Sequence, residues 1–131
     1  MARILIIDDD PSLLHLFRQF LSGEGHVVSS ASDGKEGLSL MKQQRPDLII
    51  TDIMMPEMDG LEVVREIRKS HPGLPVIAMS GGMRNVPINF LPQAKKIGAC
   101  RVFEKPVSLA TLLEAVKELL AAIPKVTQIG F

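Results

Sequence analysis

Residues 4–10 read Ile-Leu-Ile-Ile-Asp-Asp-Asp. An unbroken apolar run of this length suits a strand buried on both faces, whereas a strand with one wet face alternates apolar and polar residues. The run then stops at three consecutive carboxylates. Leu48-Ile49-Ile50-Thr51-Asp52 repeats the pattern, an apolar run that ends on an acid. Two such runs in one chain predict the central strands of a parallel sheet.

Further strand-length runs lie at His26–Ala31, Val76–Met79 and Arg101–Phe103. Helical spacing fills the intervals. Leu13, Phe17, Phe20 and Leu21 fall on one face of a first helix, and a second starts at Asp33, carries Leu38 and Met41, and ends before Pro46. A third begins around Asp59-Gly60 and turns Leu61, Val64 and Ile67 inward. A fourth is expected around Asn89–Ile97, although Pro87 and Pro92 break its pattern. The last carries Leu109, Leu112, Leu113, Val116, Leu120 and Ile123 until Pro124 closes it. Five strands alternating with five helices predict an α/β fold with helices on both faces of a doubly wound parallel sheet.

The composition narrows function. The chain has 131 residues, 46% of them hydrophobic and 23% charged, which suits one globular domain with its own core. Fifteen basic and fifteen acidic side chains leave zero net charge, which argues against direct nucleic-acid binding through bulk electrostatics. The single cysteine, Cys100, excludes an internal disulfide and a cysteine-based zinc site. No uncharged run reaches the ~18 residues that membrane insertion requires. The opening Met-Ala-Arg does not have the layout of a signal peptide, so a cytoplasmic domain is expected.

In an open α/β sheet, ligands bind beyond the carboxyl ends of the strands. The residues there are Asp8, Asp9 and Asp10 after the first strand, and Asp52 after the third. Ser80-Gly81-Gly82 follow the fourth, and Glu104-Lys105-Pro106 the fifth. Crowded carboxylates repel one another and either hold protons or recruit a cation. An all-oxygen donor set suits Mg²⁺, which accepts one or two carboxylates together with a phosphate oxygen. A hydroxyl and an ammonium opposite the metal serve the remaining oxygens of a phosphoryl group. The glycines after Ser80 allow a close approach to the backbone.

These residues, in this order, resemble the receiver domain of two-component response regulators, over nearly the whole chain. The resemblance is carried by Ile4–Asp10, by Asp52 with Met55-Pro56-Glu57-Met58-Asp59-Gly60, by Ser80-Gly81 and by Lys105-Pro106. It implies a flavodoxin-like fold with strand order 2-1-3-4-5, which general accounts of doubly wound sheets illustrate with a member of this same family. It implies residues 1–123 as the receiver and residues 124–131 as a C-terminal tail, a stand-alone, single-domain arrangement.

The same resemblance makes Asp52 the phosphoacceptor, served by a sensor histidine kinase or a histidine phosphotransfer protein. Asp8, Asp9, Asp52 and the Met54 backbone carbonyl would hold Mg²⁺. Ser80 and Lys105 would contact phosphoryl oxygens, Gly81 would follow the switch hydroxyl, and Pro106 would follow Lys105 through a cis peptide bond. Output would run through the fourth helix, fifth strand and fifth helix to a downstream protein target, with weak self-catalysed phosphotransfer and dephosphorylation. Met54 and Gly82 occupy positions that tune dephosphorylation, and neither supplies an acid or amide to orient water.

The chain departs from the family pattern in two places. The usual switch aromatic is Val102, and strand alternation turns the neighbouring Phe103 to the other face. The stretch between Ser80 and Lys105 is also longer than the family pattern, with two prolines in it.

Plainer readings apply elsewhere. Asp10 reads as a favourable N-terminal neighbour of the first helix. His15, His26 and His71 lack metal-ligand spacing, Cys100 reads as a small core-side residue, and Met54, Met55 and Met58 fit packing as well as partner contact. One rival is a haloacid-dehalogenase-type phosphohydrolase that uses Asp8 and Asp10. It lacks an acidic pair just beyond the lysine, because Glu114 and Glu118 fall inside the last helix. Another is a receiver-like binding module that signals without phosphorylation, which would be expected to have lost an acidic or lysine position.

Overall fold

A computed structural model describes residues 2–53, 60–80 and 101–122. Their elements run in the order β1 (Arg3–Ile7), α1 (Pro11–Gly23), β2 (Val27–Ala31), α2 (Gly34–Gln43), β3 (Leu48–Asp52), α3 (Gly60–Ser70), β4 (Val76–Ser80) and β5 (Arg101–Glu104). The C-terminal helix, α4, spans Leu109–Ala121. The fourth helix expected at 89–97, Leu61, Cys100, the prolines at 87 and 92, and the residues from Ile123 onward lie outside the residues or side chains described.

The five strands form one parallel sheet in the order β2-β1-β3-β4-β5. This is the flavodoxin-like order, and β1 and β3 are interior strands as their apolar runs predict. Every residue of β3 is buried. Alternation sorts the apolar side chains into two cores. Ile4, Ile6, Leu48, Ile50, Ile77 and Met79 meet Phe17 and Leu21 of α1 and Leu112, Ala115, Val116 and Leu119 of α4. Leu5, Ile7, Ile49 and Val76 meet Met41 of α2 and Val63, Val64 and Ile67 of α3 on the other face. Phe103 packs against the first of these cores, on the face that alternation assigns it.

Local chemistry sets the helix ends. Asp10 is the N-cap of α1, and its Oδ1 accepts the Ser12 N–H at 2.9 Å and the Leu13 N–H at 3.4 Å. Asp33 caps α2 through the Glu36 N–H at 2.8 Å, while Glu36 reaches back to the Ser32 N–H at 2.8 Å. Ser108, not singled out from the sequence, caps α4 through the Thr111 N–H at 3.0 Å. Among the described residues, no helix is long and apolar enough to cross a membrane.

Candidate functional site

Parallel register brings the acids together. Ile7 pairs with Thr51, so Asp8 and Asp52, each one residue further on, emerge side by side at the carboxyl ends of β1 and β3. Asp8 is fully buried and Asp52 is 3% exposed, whereas Asp9 faces solvent. Carboxylate oxygens of Asp8, Asp9 and Asp52 all lie within 4.8 Å of one another. Asp10 is not part of this group, because its carboxylate is turned to the first turn of α1.

Backbone bonds hold these positions. The Asp8 N–H donates to the Ala31 carbonyl at 3.1 Å, and the Ile53 N–H donates to the Met79 carbonyl at 2.9 Å. Thr51, which the sequence reading passed over, donates its buried hydroxyl to the Asp52 carbonyl at 3.1 Å. The only sequence signal for it is a lone polar residue in an otherwise apolar run beside the acid.

Lys105 arrives from β5. Its N–H donates to the Ser80 carbonyl at 2.8 Å, which ties the ends of β4 and β5 together. Its ammonium then reaches Asp8 Oδ2 at 2.6 Å and Asp52 Oδ2 at 3.4 Å. Burial disfavours charge on the ammonium, but its hydrogen bond to Asp8 and the charges of Asp52 and Asp8 outweigh it. The lysine pKa is therefore held above its ordinary value. The peptide bond between Lys105 and Pro106 is cis. Ser80 is the last residue of β4 and is partly buried. Val102 lies in β5 opposite Ala78.

Of the residues expected in the site, the structure gathers Asp8, Asp9, Asp52 and Lys105 into one cluster and places Ser80 beside Lys105 through the backbone. Met54, Gly81 and Gly82 lie outside the described residues. The donor set is all oxygen, with two buried carboxylates and one exposed, which fits Mg²⁺. The buried ammonium shows that this cluster does attract positive charge.

Comparison with known proteins identifies the family and the fold. The model of the response regulator receiver domain matches residues 4–117. The transcriptional regulatory protein GlrR of Escherichia coli K12 is 37% identical over 119 residues, covering 91% of this chain and 26% of its own length. The response regulator MprA of Mycolicibacterium vanbaalenii is 36% identical over 119 residues, 91% of this chain and 50% of its own. The chain thus spans half or less of the length of these curated relatives. A CheY-like receiver domain protein from Methanospirillum hungatei superposes with a TM-score of 0.85 at 33% identity, covering 92% of this chain and 94% of that one. A receiver domain protein from Clostridium thermocellum gives 0.84 at 32% identity, covering 92% and 95%. On sequence, sheet order and fold together, the chain belongs to the response regulator receiver domain family.

Proposed function

We propose that this domain is the phosphoryl-accepting switch of a two-component or phosphorelay system, with Asp52 as the acceptor. The observation that carries the reading is the setting of Asp52. It ends a fully buried strand, is itself almost wholly buried, and lies beside the Asp8 carboxylate with the Lys105 ammonium 3.4 Å from its Oδ2.

In the proposed reaction, an Asp52 oxygen attacks the phosphorus of a phosphohistidine on a sensor kinase or a histidine phosphotransfer protein. The new O–P bond forms as the P–N bond breaks. The electron pair returns to the imidazole nitrogen, which takes a proton from solvent. Lys105 pairs with one phosphoryl oxygen, and the Ser80 hydroxyl donates to another. Asp8, Asp9, Asp52 and the Met54 backbone carbonyl would hold Mg²⁺. When bound, the ion supplies charge neutralisation as negative charge gathers on the phosphoryl oxygens.

Burial of Asp52 and Asp8 excludes bulk water from the acceptor, which strengthens each electrostatic contact there. The commitment of Asp10 to capping α1 favours this reading over hydrolysis through Asp8 and Asp10. The phosphorylated domain would act in the cytoplasm on a downstream protein target through the surface around β5 and α4, with Gly81, Val102 and Pro106 bordering the switch. Incubation with acetyl phosphate and Mg²⁺, followed by intact mass measurement, tests the reading. Gain of one phosphoryl group, lost in EDTA, is expected; an unchanged mass would overturn it.

A further inference from the structure

Among the described residues, three polar or charged side chains are buried: Asp8, Thr51 and Asp52. The proposed chemistry uses the two acids and leaves Thr51 without a part. Thr51 is fully buried in β3, where the other residues before Asp52 are leucine and isoleucine. A buried hydroxyl is unfavourable unless it is hydrogen-bonded, and valine would fill the same space in a strand without one. The bond this hydroxyl makes is to the Asp52 carbonyl, at 3.1 Å. At the other end of the same peptide group, the Ile53 N–H donates to the Met79 carbonyl at 2.9 Å. The peptide that links Asp52 to Ile53 is thus held by both its polar atoms, at the point where β3 stops.

The geometry points to Thr51 as a positioning residue for Asp52, one that aims the acceptor carboxylate through the backbone. This inference rests on the acceptor role proposed above. Side chains alternate along a strand, so Thr51 shares with Ile49 the face covered by α2 and α3, and Asp52 takes the opposite face. The hydroxyl therefore does not reach the phosphoryl group. What it holds is the plane of the peptide after Asp52, which sets ψ at that residue. The rotamers open to a side chain depend on its backbone angles, so fixing ψ narrows where the carboxylate can point. Attack on phosphorus needs the acceptor oxygen in line with the breaking bond, and small misplacements slow such steps sharply. A hydroxyl also carries no charge, so it steers Asp52 without altering the charge balance of the acidic cluster.

The test compares Thr51→Val and Thr51→Ser with the wild-type chain, in the rate of phosphoryl uptake from acetyl phosphate with Mg²⁺ and in thermal unfolding. Thr51→Val keeps the shape and should unfold at or above the wild-type temperature, yet take up the group about fivefold more slowly, the factor carried by one ordinary hydrogen bond. Thr51→Ser keeps the hydroxyl and opens a methyl-sized void, so it should unfold at a lower temperature while its rate stays close to the wild type. A merely structural role would make rate follow stability; here the two part. In the unphosphorylated protein, the ¹³C resonance of the Asp52 carbonyl should move upfield in Thr51→Val as the bond is lost. In the wild type, which needs no variant to fold, the Thr51 hydroxyl proton should be protected from exchange. A folded Thr51→Val that reacts at the wild-type rate would overturn the inference. So would a Thr51→Ser as slow as Thr51→Val, an unmoved carbonyl resonance, or an unprotected hydroxyl proton. Failure of the acceptor role shows in the wild type, as no uptake, and takes this inference with it. Failure of this inference alone shows as wild-type uptake that Thr51→Val leaves unchanged.

Discussion

The Lys105 ammonium lies 2.6 Å from Asp8 Oδ2, and the two residues are separated by 97 positions in sequence. The pair joins the ends of β1 and β5, two strands that are not neighbours in the sheet. Its carboxylate is fully buried and its ammonium side chain is 16% exposed. Removing the cation leaves two buried acids crowded together. Lys105→Met should therefore lower stability by about 2–3 kcal/mol in EDTA, somewhat under the usual cost of orphaning a buried charge because the ammonium is not wholly dry. Urea unfolding checks this, and added Mg²⁺ should recover part of the loss. An unchanged midpoint in EDTA would show that the pair contributes nothing.

Gly37 sits where α2 lies close against β1. A Cβ there would sit 2.4 Å from Ile7 Cδ1 and 2.8 Å from Ile7 Cγ1. Ile7 is fully buried and has little room to move. The helix-propensity gain of Gly37→Ala, up to about 1 kcal/mol, opposes an overpacking cost of about 1–3 kcal/mol. Net destabilisation is expected by thermal unfolding. Ile7→Val, which removes Cδ1, should recover part of it in the double variant, and strict additivity would argue against the contact.

Asp10 separates stability from cation binding. Asp10→Ala removes the cap of α1 and should cost about 1 kcal/mol. Its Mg²⁺ affinity should stay near the wild-type value, whereas Asp9→Ala should lose affinity with little change in stability. A large loss of affinity in Asp10→Ala would place its carboxylate in the cation site.

His26 gives the fold a pH dependence. Its Nδ1 accepts the Ala2 N–H at 3.3 Å, which only the neutral ring can do, and burial pushes its pKa below the ordinary 6.5. The unfolded chain therefore binds the proton more readily. This contribution to stability is fully present above pH 6.5 and is lost as pH falls from there through the lowered folded pKa. His26→Gln should flatten the slope of unfolding midpoint against pH across that window. An identical slope in the variant would assign the dependence elsewhere.

The sheet was legible because β1 and β3 are apolar without interruption, and their ends place Asp8 and Asp52 by register alone. The face taken by Phe103 followed from simple alternation. Other features depend on packing that no local pattern encodes. In α4 the leucine stripe points to Leu109, Leu113 and Leu120, yet these are only partly buried, and Ala115 and Leu119 take core positions alongside the deeper Leu112 and Val116. Size drew attention to the leucines, while the angle at which the helix meets the sheet decides which side chains are covered. The close fit of Gly37 on Ile7 and the shorter contact of Lys105 with Asp8 than with Asp52 arise in the same way, from distances between elements.

Locating the phosphoryl group is the most direct test of function. The protein would be treated with acetyl phosphate and Mg²⁺, reduced with borohydride to convert any acyl phosphate to the alcohol, and mapped by peptide mass spectrometry. Reduction confined to Asp52, and absent from a folded Asp52→Asn variant, is the predicted result. Reduction at Asp8 or Asp10 with Asp52 untouched would contradict the assignment of Asp52 as acceptor.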